Sequence, residues 1–541
     1  RSLALEAAAV LTDMTAAATE RAAEQLLHAH MADRDGRGRL YLHDLIRDYA
    51  NASVEAEDPA RAEALKRLFD WYLGAADAAC GIRYPGLAKL STAEPGGEAP
   101  ELGDAGQAER WLDDERENLV AIARYAGEHG HGSTAWRLAD ALRGHAWTAM
   151  SAADFLALGH AALNGARAEE RLPGEAVAEL CMSTAYLKAR DFADAVRHSE
   201  RAIDRARRIR WEAGEASAHH DMALACWNLG RLRESLAHGE IALAMNRAGG
   251  RTRAVSVNLG ALGVVRGDMG ELEAERRLLA EALGLAEVLG DLPLQASHLR
   301  SLASVSIRLG AVRDAERHLD RVMDIEADAG ERELGASTAA FMAELRSVLG
   351  RHDEALAYAE MVVRQADLRG DRSSKAIGLV AAAVALNGLG RHEEAAAAAA
   401  QALRVVNGEL TGERIDALIE RAVVRIRIGE VDAAEADARL TLELAREGGY
   451  RNGEGMALDL LAEARLRRGE AGEARALAGR ALEGHRSSGH RAGAAWSLWI
   501  MGAAARHEGD AGAARRHLRE VEEIYAEMGA PVPARFGEGA V

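Results

Sequence analysis

A glycine returns along most of this chain at an almost constant stride. It stands at Gly230, Gly270, Gly310, Gly350 and Gly390, then at Gly429, Gly469 and Gly509, so every step is 40 residues except one of 39. Arg190, in ARDFADA, holds the same place one step upstream. Self-similarity at such a period means stacked copies of one supersecondary unit. Small residues keep the same phase. Seven positions before the turn lie Ser183, Ala223, Gly263, Ala303, Ala343, Ala383, Ala422, Ala462 and Gly502. Five positions after it lie Ala195, Ser235, Ala315, Ala355, Ala395, Ala434, Ala474 and Ala514, and only Glu275 breaks that column. Two small columns flanking a tight turn let two antiparallel helices approach closely. The apolar spacing on either side is helical, not alternating. A second set, Gly214, Gly250, Gly290, Gly330, Gly370, Gly449, Gly489 and Gly529, marks the other loop. Each unit therefore reads as helix, tight turn, helix, short loop. Pro293 is the one proline between Gly174 and Ala530. It falls just before a helix, where it costs little, whereas a helix interior would lose about 3 kcal/mol.

The stretch LGRHEEA, Leu389 to Ala395, with alanine at both columns, resembles the tetratricopeptide repeat. The longer helices resemble its regulator subclass, typified by the maltose activator. The resemblance implies an all-α solenoid, a right-handed superhelix of about ten helix pairs, whose inner wall is lined mainly by the first helix of each pair. One hairpin cannot bury its apolar face alone, so neighbours must stack.

The chain has 541 residues, a length that ordinarily means several domains but that a solenoid can take up as one array. Its net charge is −18, and the only lysines are Lys66, Lys89, Lys188 and Lys375. Such a balance argues against direct nucleic-acid or anionic-membrane binding. Cys80, Cys181 and Cys226 are scattered and odd in number, which suits small buried residues of a reduced compartment. No apolar run reaches the ~18 residues that span a bilayer. Leu3 to Leu11 is interrupted by Glu6 and lacks the basic start of a signal peptide. A cytoplasmic location is expected. The first residue is Arg1, not Met, which leads us to expect the C-terminal part of a larger protein.

The first hundred residues do not follow the repeat. Helices at about 3–10 and 17–30 precede DRDGRGRLYL, which reads as a hairpin turning at Asp35–Gly38. LHDLIRDYA, Leu42 to Ala50, then opens a third helix. This is a winged-helix plan over 1–55. Residues 1–50 carry six Arg against eight Asp or Glu, which disfavours phosphate binding. LHDLIRDYA resembles the motif that ends the winged-helix part of nucleotide-switch (STAND) ATPases of the NB-ARC type. RAEALKRLFDWYLGAADAA and AERWLDDERENLVAIARYAGEHG follow it, an order that resembles the antibiotic-regulatory (SARP-type) activators of actinomycetes. The resemblance implies that His43, with Asp44 beside it, reaches the β-phosphate of bound ADP and holds a closed, inactive state. An imidazole N–H is a compact donor for that contact. The chain has no G-x-x-x-x-G-K-[ST] phosphate loop. It is therefore expected to hold no cofactor itself, ADP or ATP belonging to the full-length protein, and to be no enzyme.

The expected organisation is a winged-helix segment at 1–55, a connecting helix at 56–80 and a linker at 81–104 carrying Pro85, Pro95, Gly96, Gly97 and Pro100. Atypical first helices follow at 105–170, with a helix over 106–129 and a turn near Ser151, then repeats at 171–530 and a flexible tail at 531–541. His219, His220 and Asp221 are helical neighbours that point apart, so they make no metal site. His28, His30, His129 and His131 group no better, and His485 and His490 read as solvated loop residues. Positions ten, six, three and two before each turn face the inner wall. They supply His220, Trp227 and Asn228, then Asp268, then Arg300, Ile307 and Arg308. Glu344, Asn387, Arg427, Asp459, Glu463, Arg467 and Trp499 follow. Arg, carboxylate and Trp together suit capture of a protein or peptide. The expected role is a sensing and autoregulatory module that binds a protein, peptide or small-molecule effector and contacts an upstream ATPase domain. The alternatives are a constitutive scaffold and the sensor of an anti-phage STAND system.

Overall fold

The computed structural model describes residues 2–53, 59–87, 89–90, 100–328, 334–406 and 410–536. The chain divides into two compact units, Arg1–Met222 and Ala223–Val541. The first opens with α1 (Leu5–Thr12) and α2 (Ala16–His28), then β1 (Ala32–Arg34) and β2 (Leu40–Leu42), then α3 (Asp44–Ser53). β1 and β2 pair antiparallel, Ala32 opposite Leu42 and Arg34 opposite Leu40. Asp35 shapes the turn, its carboxylate accepting from the amides of Arg37 at 2.9 Å and Arg39 at 3.0 Å. Leu3 joins β2 through a pair of backbone hydrogen bonds to Leu40, at 2.7 and 2.9 Å. The long helices α4 (Pro59–Arg83) and α5 (Ala105–Glu128) come next. Leu68, Phe69, Tyr72, Leu112 and Leu119 bury the face they share.

Among the described residues ten helix pairs follow. They are α6 (Gly132–Thr148) with α7 (Ala152–Ala168), α8 (Leu172–Ala189) with α9 (Phe192–Arg208), and α10 (Glu212–Asn228) with α11 (Leu232–Ala248). Next come α12 (Thr252–Asp268) with α13 (Leu272–Val288), α14 (Leu292–Arg308) with α15 (Val312–Asp328), and α16 (Ala336–Val348) with α17 (His352–Arg369). The array ends with α18 (Arg372–Gly388) and α19 (His392–Val406), α20 (Thr411–Arg427) and α21 (Val431–Gly448), α22 (Arg451–Arg467) and α23 (Ala471–Ser488), and α24 (Arg491–His507) and α25 (Ala511–Met528).

The periodic glycines work as the stride requires. All eight turn glycines from Gly230 to Gly509 have positive φ, between 71° and 86°. A side chain resists that left-handed conformation and glycine does not. Arg190 adopts it at φ 62°. The two small columns meet inside each hairpin: Ser235 Oγ donates to the carbonyl of Ala223 at 2.7 Å, and the column alanines are buried. Pro293 lies in the first turn of α14, where Asp291 accepts from the amide of Leu294 at 3.1 Å.

Three details differ from the sequence reading. Gly214 is not a loop residue: it lies within α10, and the left-handed residue of that loop is Arg210, φ 58°. A Cβ on Gly214 would stand 2.1 Å from the Trp211 ring, so the indole, not the turn, demands glycine there. His485 and His490 are not solvated. His485, in α23, is fully buried with Nε2 2.9 Å from Asp459, and its Nδ1 lies 3.3 Å from that of His490. Lastly, the tail does not fray at once. Ala534–Phe536 forms a turn of 3-10 helix, with Phe536 buried. Pro95, Gly96 and Gly97 of the expected linker, Gly330, and residues 537–541 of the tail lie outside the described residues.

Candidate ligand-binding wall and the His43 face

In the second unit the array returns upon itself. A Cβ placed on Gly230 would meet Thr411 at 2.7 Å, one on Gly270 would meet Arg451 at 2.8 Å, one on Gly310 would meet Arg491 at 3.0 Å, and one on Gly350 would meet Pro531 at 3.0 Å. Each partner lies 181 residues further along, about four and a half repeats at this stride. Hydrogen bonds cross the same seam. Tyr450 Oη donates to the carbonyl of Trp227 at 3.4 Å, and Asn452 Nδ2 donates to that of Gly267 at 3.0 Å. A crevice of about 380 Å³ opens on the seam between Gly230, Arg231, Thr411 and Gly448.

Closure places charged side chains deep inside the unit. Trp227 Nε1 donates to Asp268 Oδ2 at 2.7 Å, joining two expected wall residues from neighbouring repeats. Burial raises the Asp268 carboxyl above its ordinary range, and the Trp227 hydrogen bond opposes this. Arg308 is held by Glu275, with Nη2 2.8 Å from both carboxylate oxygens. Glu275 is 2% exposed, and burial pushes it up to about 8 despite the Arg308 charge. Glu344 is likewise raised by burial. The sequence reading missed Asp416 and Glu420 on α20. Both are pushed up to about 7 by burial, and Asp416 further by Asp268, Glu413 and Glu420. Asp416 is itself exposed on α20, with the acids Asp268, Glu413 and Glu420 near enough to add to its rise. Their only sequence signal is the apolar–acidic alternation of RIDALIERA.

The remaining expected wall residues are mostly engaged with the protein itself. Asn228 Nδ2 donates to the carbonyl of Leu224 at 2.9 Å. Arg300 Nη1 lies 3.3 Å from both Glu326 and Thr338. Ile307 is buried. Asn387 pairs with His392 at 2.9 Å. Asp459 takes His485 on one oxygen and Ser497 on the other, at 2.7 Å. Glu463 accepts from Trp496 Nε1 at 3.0 Å and lies 3.8 Å from Arg467. Arg427 is lowered by burial against the nearby Glu463, with Arg535 and Arg467 adding to the lowering. Trp499 is 3% exposed and stacks on Phe536 at 5.3 Å. In the first unit, burial lowers His220 to about 4. Asp221 points elsewhere, accepting from Ser183 and Thr184 at 3.1 and 2.7 Å.

His43 lies between β2 and α3, its Nε2 3.2 Å from Asp33 Oδ2. About half its side chain is exposed, and the side chains around it face outward: Leu42 at 36%, Leu45 at 84% and Tyr49 at 72% exposure. The hairpin that carries it is anchored from behind. Arg39 donates to both oxygens of Glu115, at 2.5 and 2.9 Å, and Tyr72 Oη and Asn118 Nδ2 donate to the same carboxylate at 2.8 and 2.9 Å. Sequence reasoning missed this network, because its members lie on the hairpin, α4 and α5, with Arg39 and Glu115 76 residues apart.

Cys80, Cys181 and Cys226 are buried, and among the described residues none forms a disulfide. Among the described residues no group of three His, Cys, Asp or Glu side chains is placed to hold a metal ion, and no helix is long and apolar enough to cross a membrane.

Repeated helix pairs, with small residues at both crossing columns in nearly every repeat from α8 onward, define an all-α solenoid of the tetratricopeptide-repeat type. A Rap protein solved in complex with competence and sporulation factor has the same fold. It matches 66% of this chain and 99% of its own length, with a TM-score of 0.51 at 12% identity. No protein-family profile matches the chain. By sequence the chain is similar to the regulatory protein AfsR of Streptomyces griseus, 29% identical over 253 residues, and to that of Streptomyces coelicolor, 28% identical over 317. These alignments cover 46% and 48% of this chain, but only 26% and 31% of the relatives.

Proposed function

We propose that the chain is the ligand-sensing and autoregulatory part of a nucleotide-switched transcriptional regulator. Its second unit binds a protein, peptide or small-molecule effector against the inner wall. Its first unit presents His43 to the β-phosphate of ADP held by an upstream ATPase module. The observation that carries this reading is the face around His43. A half-exposed imidazole stands among outward-facing Leu42, Leu45 and Tyr49, on a hairpin braced by the Arg39–Glu115 ion pair. Exposed apolar side chains clustered round one polar group are what a docking surface offers. Similarity to regulators several times longer than the matched region supports an upstream neighbour. Effector binding opens the closed state only to the extent that it favours the open one.

The test compares the whole regulator with its His43→Ala variant for retained ADP and for assembly state. Loss of bound ADP with spontaneous assembly supports the switch. Unchanged ADP content and assembly would leave a constitutive scaffold as the better account.

A further inference from the structure

The chain's own tail shows what the inner wall accepts. After α25 the backbone turns back through Pro531 and Pro533, and Ala534–Phe536 forms a single 3-10 turn. Phe536 is 6% exposed. It stacks on Trp499 at 5.3 Å and 25°, and meets Tyr525 edge-on at 6.2 Å. The Arg535 guanidinium sits 4.3 Å above the Trp496 ring and 4.8 Å from the Phe536 ring. Trp496 is itself pinned by its hydrogen bond to Glu463. Arg535 is also the positive charge that opposes the rise of Glu420, and it acts on Asp459 in the same sense. Two adjacent tail residues thus fill an aromatic pocket on α24 and α25, and the Arg535 charge acts on the Glu420 carboxylate of α20 without a direct ion pair. Arg over Trp, and a stacked aromatic pair, are the contacts from which peptide hot spots are built.

We propose that the Ala534–Phe536 turn is a built-in competitor. When it leaves, Trp496, Trp499, Tyr525 and Glu420 form a binding site for a peptide that carries an arginine followed by an aromatic residue. This rests on the reading of the inner wall as the ligand-sensing surface, and it names the ligand class. The tail is tethered a few residues from its pocket, and such a tether supplies an effective concentration in the millimolar range. Against a free peptide of dissociation constant near 0.1 mM, the tethered copy weakens apparent binding about tenfold.

The experiment uses a synthetic peptide of sequence Pro531–Gly537, labelled at its N-terminus, with fluorescence anisotropy as the readout. It is titrated with the intact chain and with a chain ending at Pro533, which keeps the Pro531 contact at Gly350. The expected result is about tenfold tighter binding to the shortened chain. That binding should vanish when the peptide's arginine or phenylalanine is replaced by alanine, and the arginine preference should fall in a Glu420→Gln background. Should the shortened chain not fold, the intact chain with Arg535→Ala and Phe536→Ala takes its place. Equal binding to both chains overturns the proposal, as does binding indifferent to the two replacements or none at all to a folded shortened chain. The assay involves neither nucleotide nor upstream segment, so its failure strikes the pocket and leaves the His43 test standing.

Discussion

At the scale of single residues, the one break in the small-residue column turns out to be a coupled trio. Glu275 stands where every other repeat has alanine or serine, and it reaches Arg308 with both carboxylate oxygens. Room for it comes from Gly267, where a Cβ would lie 1.9 Å from Glu275 Oε2. A large acidic residue, a missing side chain and a cation in the next repeat thus explain one another. Replacing one partner of such a buried pair strands the other charge, which costs about 3–5 kcal/mol. Glu275→Ala should therefore lower stability by about 3 kcal/mol in denaturant melts, since Arg308 is partly exposed. Glu275→Ala with Arg308→Met should recover most of that loss, because no charge is then left alone. A double variant no better than the single one would show that the pair is incidental. The sequence displayed the anomaly at Glu275 but not its partner. Arg308 read as a ligand-facing residue, because periodicity reports which way a side chain leaves its helix and not what it meets.

At the scale of the helix pair, all eight turn glycines share one backbone conformation but not one environment. Gly230, Gly270, Gly310 and Gly350 abut the seam, whereas a Cβ on Gly390, Gly429, Gly469 or Gly509 would meet nothing within 4 Å. Alanine at any of them bears the left-handed strain of about 1 kcal/mol. Gly469→Ala should cost about that much and no more. Gly310→Ala should cost clearly more, because its Cβ must displace Met528 at 2.9 Å and Arg491 at 3.0 Å. Equal losses in parallel thermal melts would deny the seam any energetic role. The hairpins themselves were legible in the chain: stride, small columns and Pro293 placed helices and turns. The seam was not. Where residue 230 meets residue 411 depends on a small rotation per repeat summed over about four and a half repeats, and no local pattern encodes that sum. The Arg535–Phe536 turn escaped notice for a related reason: a short Pro- and Gly-containing terminus reads as frayed unless its distant aromatic partners are known.

At the scale of the second unit, closure converts an open wall into an enclosure, and enclosure changes its chemistry. Acidic groups along an open groove would stay ionised. Here burial raises Asp416 and Glu420 to about 7, and raises Asp268 and Glu344 as well, while Glu275 is held in its ion pair by Arg308. An acid whose folded value is raised contributes stability that is complete below its unfolded value and is lost as pH climbs through the folded one. For Asp416 and Glu420 the loss runs from near 4 up to about 7. The buried histidines act in the opposite sense. His298, lowered to about 4, and His490, also lowered, stay neutral in the fold, and their contribution is lost only as pH falls below about 6.5. Between pH 6.5 and 8 the carboxylates therefore act alone, and the melting temperature should fall as pH rises across that window. Asp416→Asn should flatten the decline and raise stability at pH 8, since the amide stays neutral beside Asp268, Glu413 and Glu420. A melting temperature that is level or rising from pH 6.5 to 8, or a variant that follows the parent's slope, would mean that the interior is open to water and that the seam does not seal it. Effector binding and pH should then be linked. A cationic ligand entering the enclosure restores the ionised form of these acids, so it should release protons near neutral pH and bind more tightly at pH 8 than at pH 6.5.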